Sequence, residues 1–201
     1  MGILKQDEIH SAFLKAMSIS GEDRVSIVDY QTLFSKSREE LDDIGATVAK
    51  VDKFLDVLAE YHEDEDSFDM MVAGISVNLY AVCRGAEQLF THIANNIDNY
   101  MPTGAQWQKK LFEQMGVAIV GKRPRVIRPD TLSFLLELRG YKVTVSGGFS
   151  QTLDEQKIIA MALRLPEGFT AFKTDCLAFH QTLSQTEHPI SPESKPLQLL
   201  T

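Results

Sequence analysis

The chain has 201 residues, 44% of them hydrophobic, so it is long enough to bury one hydrophobic core. Its formal net charge of −8 and its pI near 5.1 argue against a surface that attracts nucleic acid or anionic lipid everywhere. No apolar run reaches the length of a membrane span, and the first residues are too acidic for a signal peptide. We therefore expect a cytoplasmic protein.

The first thirty-odd residues predict an appendage. Apolar residues between Ile9 and Met17 recur at helical spacing, and Gly21 ends that helix. Between Glu22 and Phe34 the pattern fits either a short helix or an extended connector. We expect residues 1–34 to form an N-terminal helical appendage that packs on the main body.

Two long helices are predicted next. Ser37 and Glu40 have the spacing of a capping box, which indicates a helix start. Six acidic residues between Glu60 and Asp69 favour an exposed turn over a cation site, so no metal is expected. Small residues along the second helix favour close packing within the monomer over a dimer seam. The apolar positions of the two helices are Leu41, Ile44, Val48, Val51, Leu55 and Leu58, then Phe68, Met71, Ile75, Leu79, Val82, Ala86, Leu89, Ile93 and Ile97.

The middle of the chain contains a basic loop. After a break at Asn99–Gly104, Thr103 is placed to cap a short helix with Trp107, Leu111 and Met115 on one face. The loop that follows, residues 116–128, either binds phosphate or is a solvated segment held extended by its prolines, and we favour the second interpretation. Its four cations are Lys122, Arg123, Arg125 and Arg128.

The last third predicts three further helices. Pro129 opens one that ends at Gly140, and Gly147-Gly148 after the strand-like Val143-Thr144-Val145 predict a break or loop within residues 140–150. Thr152 and Glu155 form a second capping box, whose helix stops near Pro166. The final helix carries Phe169, Phe172, Cys176, Phe179 and Leu183.

These patterns predict an all-α protein, an antiparallel helical bundle over residues 35–183. Residues 184–201, which contain three prolines, predict a mobile C-terminal tail. Cys83 and Cys176 occupy apolar helical positions, which favours reduced core thiols over the alternative of one disulfide bridge.

Several short motifs occur together in the order typical of one family. They are Arg84-Gly85-Ala86-Glu87-Gln88-Leu89-Phe90, Ile93-Ala94-Asn95-Asn96-Ile97-Asp98, Met101-Pro102-Thr103-Gly104-Ala105-Gln106-Trp107, Leu111, Gln114-Met115, Arg123-Pro124, Val126-Ile127, Arg139-Gly140-Tyr141, Leu153-Asp154 and Leu165-Pro166. From about Arg38 to Leu183 the chain thereby resembles the HepT-like branch of the HEPN superfamily. Because members of that family are helical toxins that cleave RNA as dimers, the resemblance implies the same fold, activity and dimer for this chain.

In that family the active site is a motif of Arg, four residues, His, one residue and Tyr. Those positions fall on Lys142, Gly147 and Phe149 here. Lys142 keeps a charge but not the bidentate fork of arginine, and Gly147 has no group that moves a proton. Phe149 lacks the hydroxyl that a partner nucleotidyltransferase is thought, in this family, to modify with AMP. The resemblance therefore implies a degenerate catalytic motif.

Two functions remain open. The favoured one is a non-catalytic, dimeric interaction module, in a toxin–antitoxin-like system with a nucleotidyltransferase partner. The alternative is a HEPN-type ribonuclease with an active site rebuilt around Arg139 and Lys142, with Tyr141 and the basic loop. A nucleotide or metabolite pocket at that loop has no supporting motif. We expect no cofactor; the candidate RNA- or phosphate-binding residues are Lys122, Arg123, Arg125, Arg128, Arg139, Tyr141 and Lys142.

Overall fold

A computed structural model describes residues 30–60, 65–146 and 154–187. These ranges contain five α-helices and no β-strand, which confirms the all-α fold. None of these helices is both long enough and apolar enough to cross a membrane. The helices are α1 (Tyr30–Glu60), α2 (Glu65–Ile93), α3 (Trp107–Met115), α4 (Pro129–Ser146) and α5 (Glu155–Glu187), and α2 continues as a π-helical turn, Ala94–Asp98.

Helices α1 and α2 form an antiparallel pair that packs closely. Phe54 near the end of α1 contacts Gly74 near the start of α2, and Ile44 contacts Gly85 further along. A Cβ atom at Gly85 would stand only 2.5 Å from Cγ1 of Ile44, so only glycine permits this approach. The small residues of α2 at these two positions therefore serve packing within the monomer.

Helix α5 lies antiparallel to α1 and to α4. Phe169 packs on Gly45, and His180 stacks on Phe34. At the other surface of α5, the ring of Phe134 from α4 covers Gly168. The core joins these layers through Phe90, whose ring meets Phe112 and Phe172 edge to face at centroid distances of 5.1 and 5.7 Å.

Helix α1 begins before the predicted capping box. It starts at Tyr30, and Leu33 and Phe34 are part of the buried core. Ser37 therefore lies inside the helix and is itself buried, so its prediction as a cap is wrong. The physical reason is that burial of Leu33 and Phe34 stabilises additional helical turns, which the capping pattern does not report. Residues 1–29 of the predicted appendage lie outside the described residues.

Helix α4 does not end at Gly140. It continues to Ser146, so Val143-Thr144-Val145 is helical rather than strand-like, and no break occurs between residues 140 and 146. The β-branched residues have only a weak preference against helix, and contacts with α5 extend to Tyr141. Gly147-Gly148, where the remainder of the break was predicted, lie outside the described residues.

Helix α5 is one helix where two were predicted. Pro166 lies inside it, although proline removes one backbone hydrogen bond. Burial of Leu165 and Phe172 on either side of the proline holds both halves against the core. The helix runs on to Glu187, past the predicted start of the tail, and residues 188–201 are not described.

Two further helix caps differ from the sequence patterns. The backbone N–H of Lys157 donates to Oδ1 of Asp154 at 3.2 Å, so Asp154 caps α5, whereas Thr152 lies outside the described residues. Helix α3 has no side-chain cap, so the prediction that Thr103 caps it is wrong, and the N–H of Trp107 donates to the backbone carbonyl of Gly104. The reduced thiols are confirmed, since Cys83 and Cys176 are both free and buried.

Candidate functional site

The C-terminal end of α4 carries the family's motif position. Tyr141 donates its hydroxyl hydrogen bond to the backbone carbonyl of Lys157 at 3.1 Å. Partial burial, and then the negative charge of Glu137, raise the pKa of Tyr141 above its ordinary value. Near neutral pH this phenol stays protonated and engaged, so it is not available as a general base.

Arg139 points away from Tyr141. Side chains two residues apart on a helix are separated by about 200° around its axis, so these two do not converge on one point. Arg139 is half-buried, and its Nε atom is buried with no hydrogen-bond partner in the described part of the chain. Lys142 occupies a helical position, and Gly147 and Phe149 lie outside the described residues.

The other charges near Tyr141 pair with one another. Arg164 on α5 donates to both carboxylate oxygens of Glu137 on α4, at 2.9 and 3.0 Å. Lys157 contacts Asp154 at 2.7 Å. All four side chains are exposed, so the Arg164–Glu137 pair links α4 to α5 only weakly, the Lys157–Asp154 pair is local to the start of α5, and the surface carries mixed charge.

The predicted basic loop divides into buried and exposed cations. The guanidinium of Arg123 is fully buried and donates to the two carboxylate oxygens of Asp98, at 2.6 and 2.8 Å. It also donates to the carbonyls of Val117 and Gln114. Lys122 donates from Nζ to the backbone carbonyl of Asp98. The charge of Arg123 is therefore neutralised by Asp98, and this pair holds the loop against the π-helical turn. A phosphate has no access to the buried guanidinium.

Arg128 is tied to the start of α4. Asp175 of α5 accepts hydrogen bonds from the backbone N–H of Arg128 at 2.9 Å and from its Nε at 2.6 Å. The same carboxylate accepts from Oγ1 of Thr131 at 2.7 Å. Asp175 thus acts as a tertiary cap for α4, supplied by another helix. Arg125 is exposed.

The two groups of predicted site residues lie at opposite ends of α4. Helical rise places Arg139 about 16 Å along the axis from Arg128. The basic loop and the motif position therefore do not form one site within a monomer.

The structure describes two of the five histidines, His92 and His180. His180 is buried, and its ring stacks on Phe34 at a centroid distance of 4.3 Å. Burial, and then the positive charge of Arg38, lower its pKa to about 4. Along α5, His180 lies about 35 Å from Lys157, which contacts Tyr141. It is therefore neutral and remote from the motif position.

His92 lies at the same end of the bundle as His180. Its Nδ1 is 3.8 Å from Oε1 of Glu40 on α1. Burial raises the pKa of Glu40, and its Oε2 atom is buried without a hydrogen-bond partner among the described residues. No described histidine thus reaches the end of α4 where the family's proton-transfer group belongs. Within the same residues no group of His, Cys, Asp and Glu has the arrangement of a metal site.

The sequence interpretation missed the carboxylates that hold the loop and the helix ends. Asp98 and Asp175 are both buried, and each lies next to one apolar core residue in sequence, Ile97 and Cys176 respectively. The sequence pattern that could have identified them is an acidic residue at a core-facing helical position, because a buried carboxylate requires a buried partner.

Comparison with known families supports the resemblance. Residues 74–183, more than half of the chain, match the family model described as HepT-like protein. The matched region runs from the first half of α2 through α5 and includes both groups of site residues. A search of curated proteins gives no match. The chain therefore belongs to the HepT-like family of the HEPN superfamily.

Proposed function

We propose that this protein is a non-catalytic HepT-like interaction module that works as a dimer. The proposal rests on the side chains at the C-terminal end of α4, where the family's catalytic motif begins. Tyr141 is held protonated by burial and bonded to a backbone carbonyl, and the described histidines lie at the other end of the bundle. Cleavage of RNA through its 2′-hydroxyl needs a group that moves a proton as well as a cation. Lys142 in place of the family's arginine supplies charge alone.

The partner class that we propose is a nucleotidyltransferase, as the family resemblance implies. Phe149 replaces the tyrosine that would accept AMP, so such a partner would bind here without transferring a nucleotide to that position. The exposed Lys122 and Arg125 give this acidic protein a local positive surface that favours an acidic partner. The complex would then act through binding, in a toxin–antitoxin-like setting.

The alternative is a ribonuclease with a rebuilt site around Arg139 and Lys142. One observation favours it: Arg139 is half-buried and has no ion-pair partner in the described part of the chain, so its charge is not neutralised there, although its Nε atom is itself buried. A guanidinium of this kind stabilises charge on phosphorus. A proton-transfer group is still required beside it.

An RNA-cleavage assay distinguishes the two functions. The full chain is incubated with single-stranded and structured RNA, with Mg²⁺ and separately with a chelator, beside Arg139→Ala and Lys142→Ala. Arg164→Ala is the matched control, because Arg164 is a cation near the same end of α4 that pairs with Glu137. We expect no cleavage by any of the four proteins, while a known ribonuclease added to the same mixture cuts the RNA. Cleavage that disappears in Arg139→Ala or Lys142→Ala and persists in Arg164→Ala would establish the ribonuclease.

A further inference from the structure

Helix α2 leaves one uncharged face exposed to solvent. Met70 is 75% exposed and Val77 57% exposed, and Ala73 and Ala81 are exposed on the same side of the helix. These four residues, here the α2 apolar face, are all the exposed residues between positions 70 and 81. About three turns of helix thus present no charge to water, in a chain of which 24% is charged. Such an apolar stripe on a surface helix indicates a binding partner.

A neighbouring residue of α1 enlarges this surface. Phe54 packs on Gly74, and the two helices are antiparallel, so the next turn of α1 lies beside the first turns of α2. That turn carries Val57, which is 38% exposed. The apolar surface therefore belongs to the α1–α2 pair and not to α2 alone.

The α2 apolar face is symmetric about Val77. Ala73 and Ala81 each lie four residues from it, and Met70 and Arg84 each lie seven residues from it. When two copies of α2 pack antiparallel with a two-fold axis at Val77, Ala73 of one copy meets Ala81 of the other. Alanines at those two levels allow the helices to approach closely. A self-complementary pattern of this kind is what a two-fold interface between identical subunits requires.

The charges that border the face are complementary in the same arrangement. Asp66 and Asp69 are exposed at the N-terminal end of the face. Arg84 lies at its C-terminal end, where its Nη1 donates to Oε1 of the buried Glu87 at 3.1 Å and 52% of its side chain stays exposed. In the antiparallel pair, Arg84 of the second copy lies at the level of Met70, about 1.5 Å along the axis from the level of Asp69. A parallel pair would instead place like charges side by side. Charge therefore selects the antiparallel arrangement.

We propose that a second copy of this chain covers the α2 apolar face in an antiparallel, two-fold packing centred on Val77. The proposal rests on the dimer of the proposed function and identifies its surface. Met70 and Val57 of each copy border the contact, and Asp69 of one copy pairs with Arg84 of the other.

Cysteine cross-linking of the full chain tests the position of the axis. Both native cysteines are buried, so Val77→Cys introduces the only exposed thiol. Under mild oxidation we expect Val77→Cys to form a disulfide-linked dimer, because the two thiols meet on the axis. Val120→Cys is the matched control, since Val120 is 100% exposed on the basic loop, which contacts the π-helical turn about 30 Å along the helix from Val77. It should stay unlinked under the same conditions.

The register is tested by two further variants. In the antiparallel packing the two copies of residue 73 are offset by about 12 Å along the axis, beyond the ~7 Å limit between the Cα atoms of a disulfide. Ala73→Cys alone should therefore not cross-link, whereas the double variant Ala73→Cys with Ala81→Cys should. Efficient cross-linking of Ala73→Cys alone would overturn the antiparallel arrangement.

Light scattering separates failure of the surface from failure of the dimer. We expect the wild type at twice the chain mass and Val77→Arg at 22.5 kDa, with equal helical circular dichroism because position 77 is exposed. Asp69→Arg should weaken the dimer because it faces Arg84 of the other copy, and Arg84 itself is kept because its Nη1 also pairs with the buried Glu87. A wild-type dimer that Val77→Arg leaves intact would overturn the surface alone. A wild type at the single-chain mass at every concentration would overturn both this surface and the proposed dimer.

Discussion

At the scale of single residues, buried polar groups decide what the charged side chains do. Arg123 has the sequence context of a phosphate-binding cation, yet Asp98 neutralises it inside the protein. Loss of one member of such a pair typically costs about 3–5 kcal/mol, because the remaining charge is buried without compensation. The cation is therefore part of the fold. Asp175 likewise converts Arg128 from a loop cation into a helix-start contact.

We expect the protein to lose stability in acid because burial lowers the pKa of His180. Its pKa is about 4 in the folded protein, compared with 6.5 in an unfolded chain. Between these values the unfolded chain binds the proton more strongly, so the free energy of unfolding falls as pH decreases from 6.5 to 4. The loss from this one group is on the order of 3 kcal/mol at the acid end. Urea unfolding of the wild type and His180→Phe at pH 7 and pH 5 measures it.

We expect His180→Phe to lose less stability between pH 7 and pH 5 than the wild type. Phenylalanine keeps the stacking on Phe34 and removes the titrating nitrogens, both of which are buried without a partner in the described residues. His92→Gln is the control at a more exposed histidine. Glu40 titrates in the opposite sense because burial raises its pKa. This contribution is common to the wild type and His180→Phe, whereas His92→Gln removes a charge that lowers the pKa of Glu40. Equal pH dependence of His180→Phe and the wild type would contradict the prediction.

At the scale of helices, packing between elements overrides local sequence signals. Helix α5 passes through Pro166 because its core-facing side continues on both sides of the proline, and α4 passes through three β-branched residues, whose preference against helix is weak. Burial of a large apolar side chain contributes about 1.5–3 kcal/mol, which exceeds the helix preference lost at a β-branched residue. A proline inside a helix costs roughly 3 kcal/mol, so burial of several large apolar side chains is needed to offset it. Helix α5 has them on both sides of Pro166.

Two glycines on adjacent helices predict opposite effects of the same substitution. A Cβ at Gly168 would stand 2.3 Å from Cζ of Phe134, so Gly168→Ala must displace that ring and should destabilise the protein by about 1–3 kcal/mol. Gly140 in α4 has nothing within 4 Å of its Cβ position, so Gly140→Ala should stabilise by about 0.5–1 kcal/mol. Urea unfolding of the two variants measures both changes. Shifts of the same sign would show that helix propensity, and not the α4–α5 contact, dominates at these positions.

At the scale of the whole molecule, association and stability are coupled. Because the proposed dimer buries the α2 apolar face only in the folded state, its thermal midpoint should rise with protein concentration. Differential scanning fluorimetry between about 1 and 100 μM should show this rise for the wild type and for Val120→Arg. Val77→Arg should unfold at the same temperature throughout. A concentration-dependent midpoint in Val77→Arg would place the self-association on another surface.

The sequence by itself determined the helical fold and the residues of its core. Helical spacing of apolar residues identified the inward sides of α1 and α2, and of α5 from Phe169 onward, because burial of a continuous stripe imposes that spacing. The motifs from Arg84 to Pro166 identified the family. The sequence also showed that Lys142, Gly147 and Phe149 stand where the family's catalytic residues belong, since that is a property of the chain's chemistry alone.

Only the tertiary structure decided where the helices begin and end and which charged residues are buried in ion pairs. The start of α1 and the continuity of α5 depend on burial between helices that are distant in sequence, which no local cap or proline reports. Asp98 and Asp175 neutralise arginines 25 and 47 residues away. The exposed side of α2 was visible in the sequence only as small residues. Which of them face water depends on where α1 packs, because Gly74 and Gly85 are covered by α1 while Ala73 and Ala81 are not.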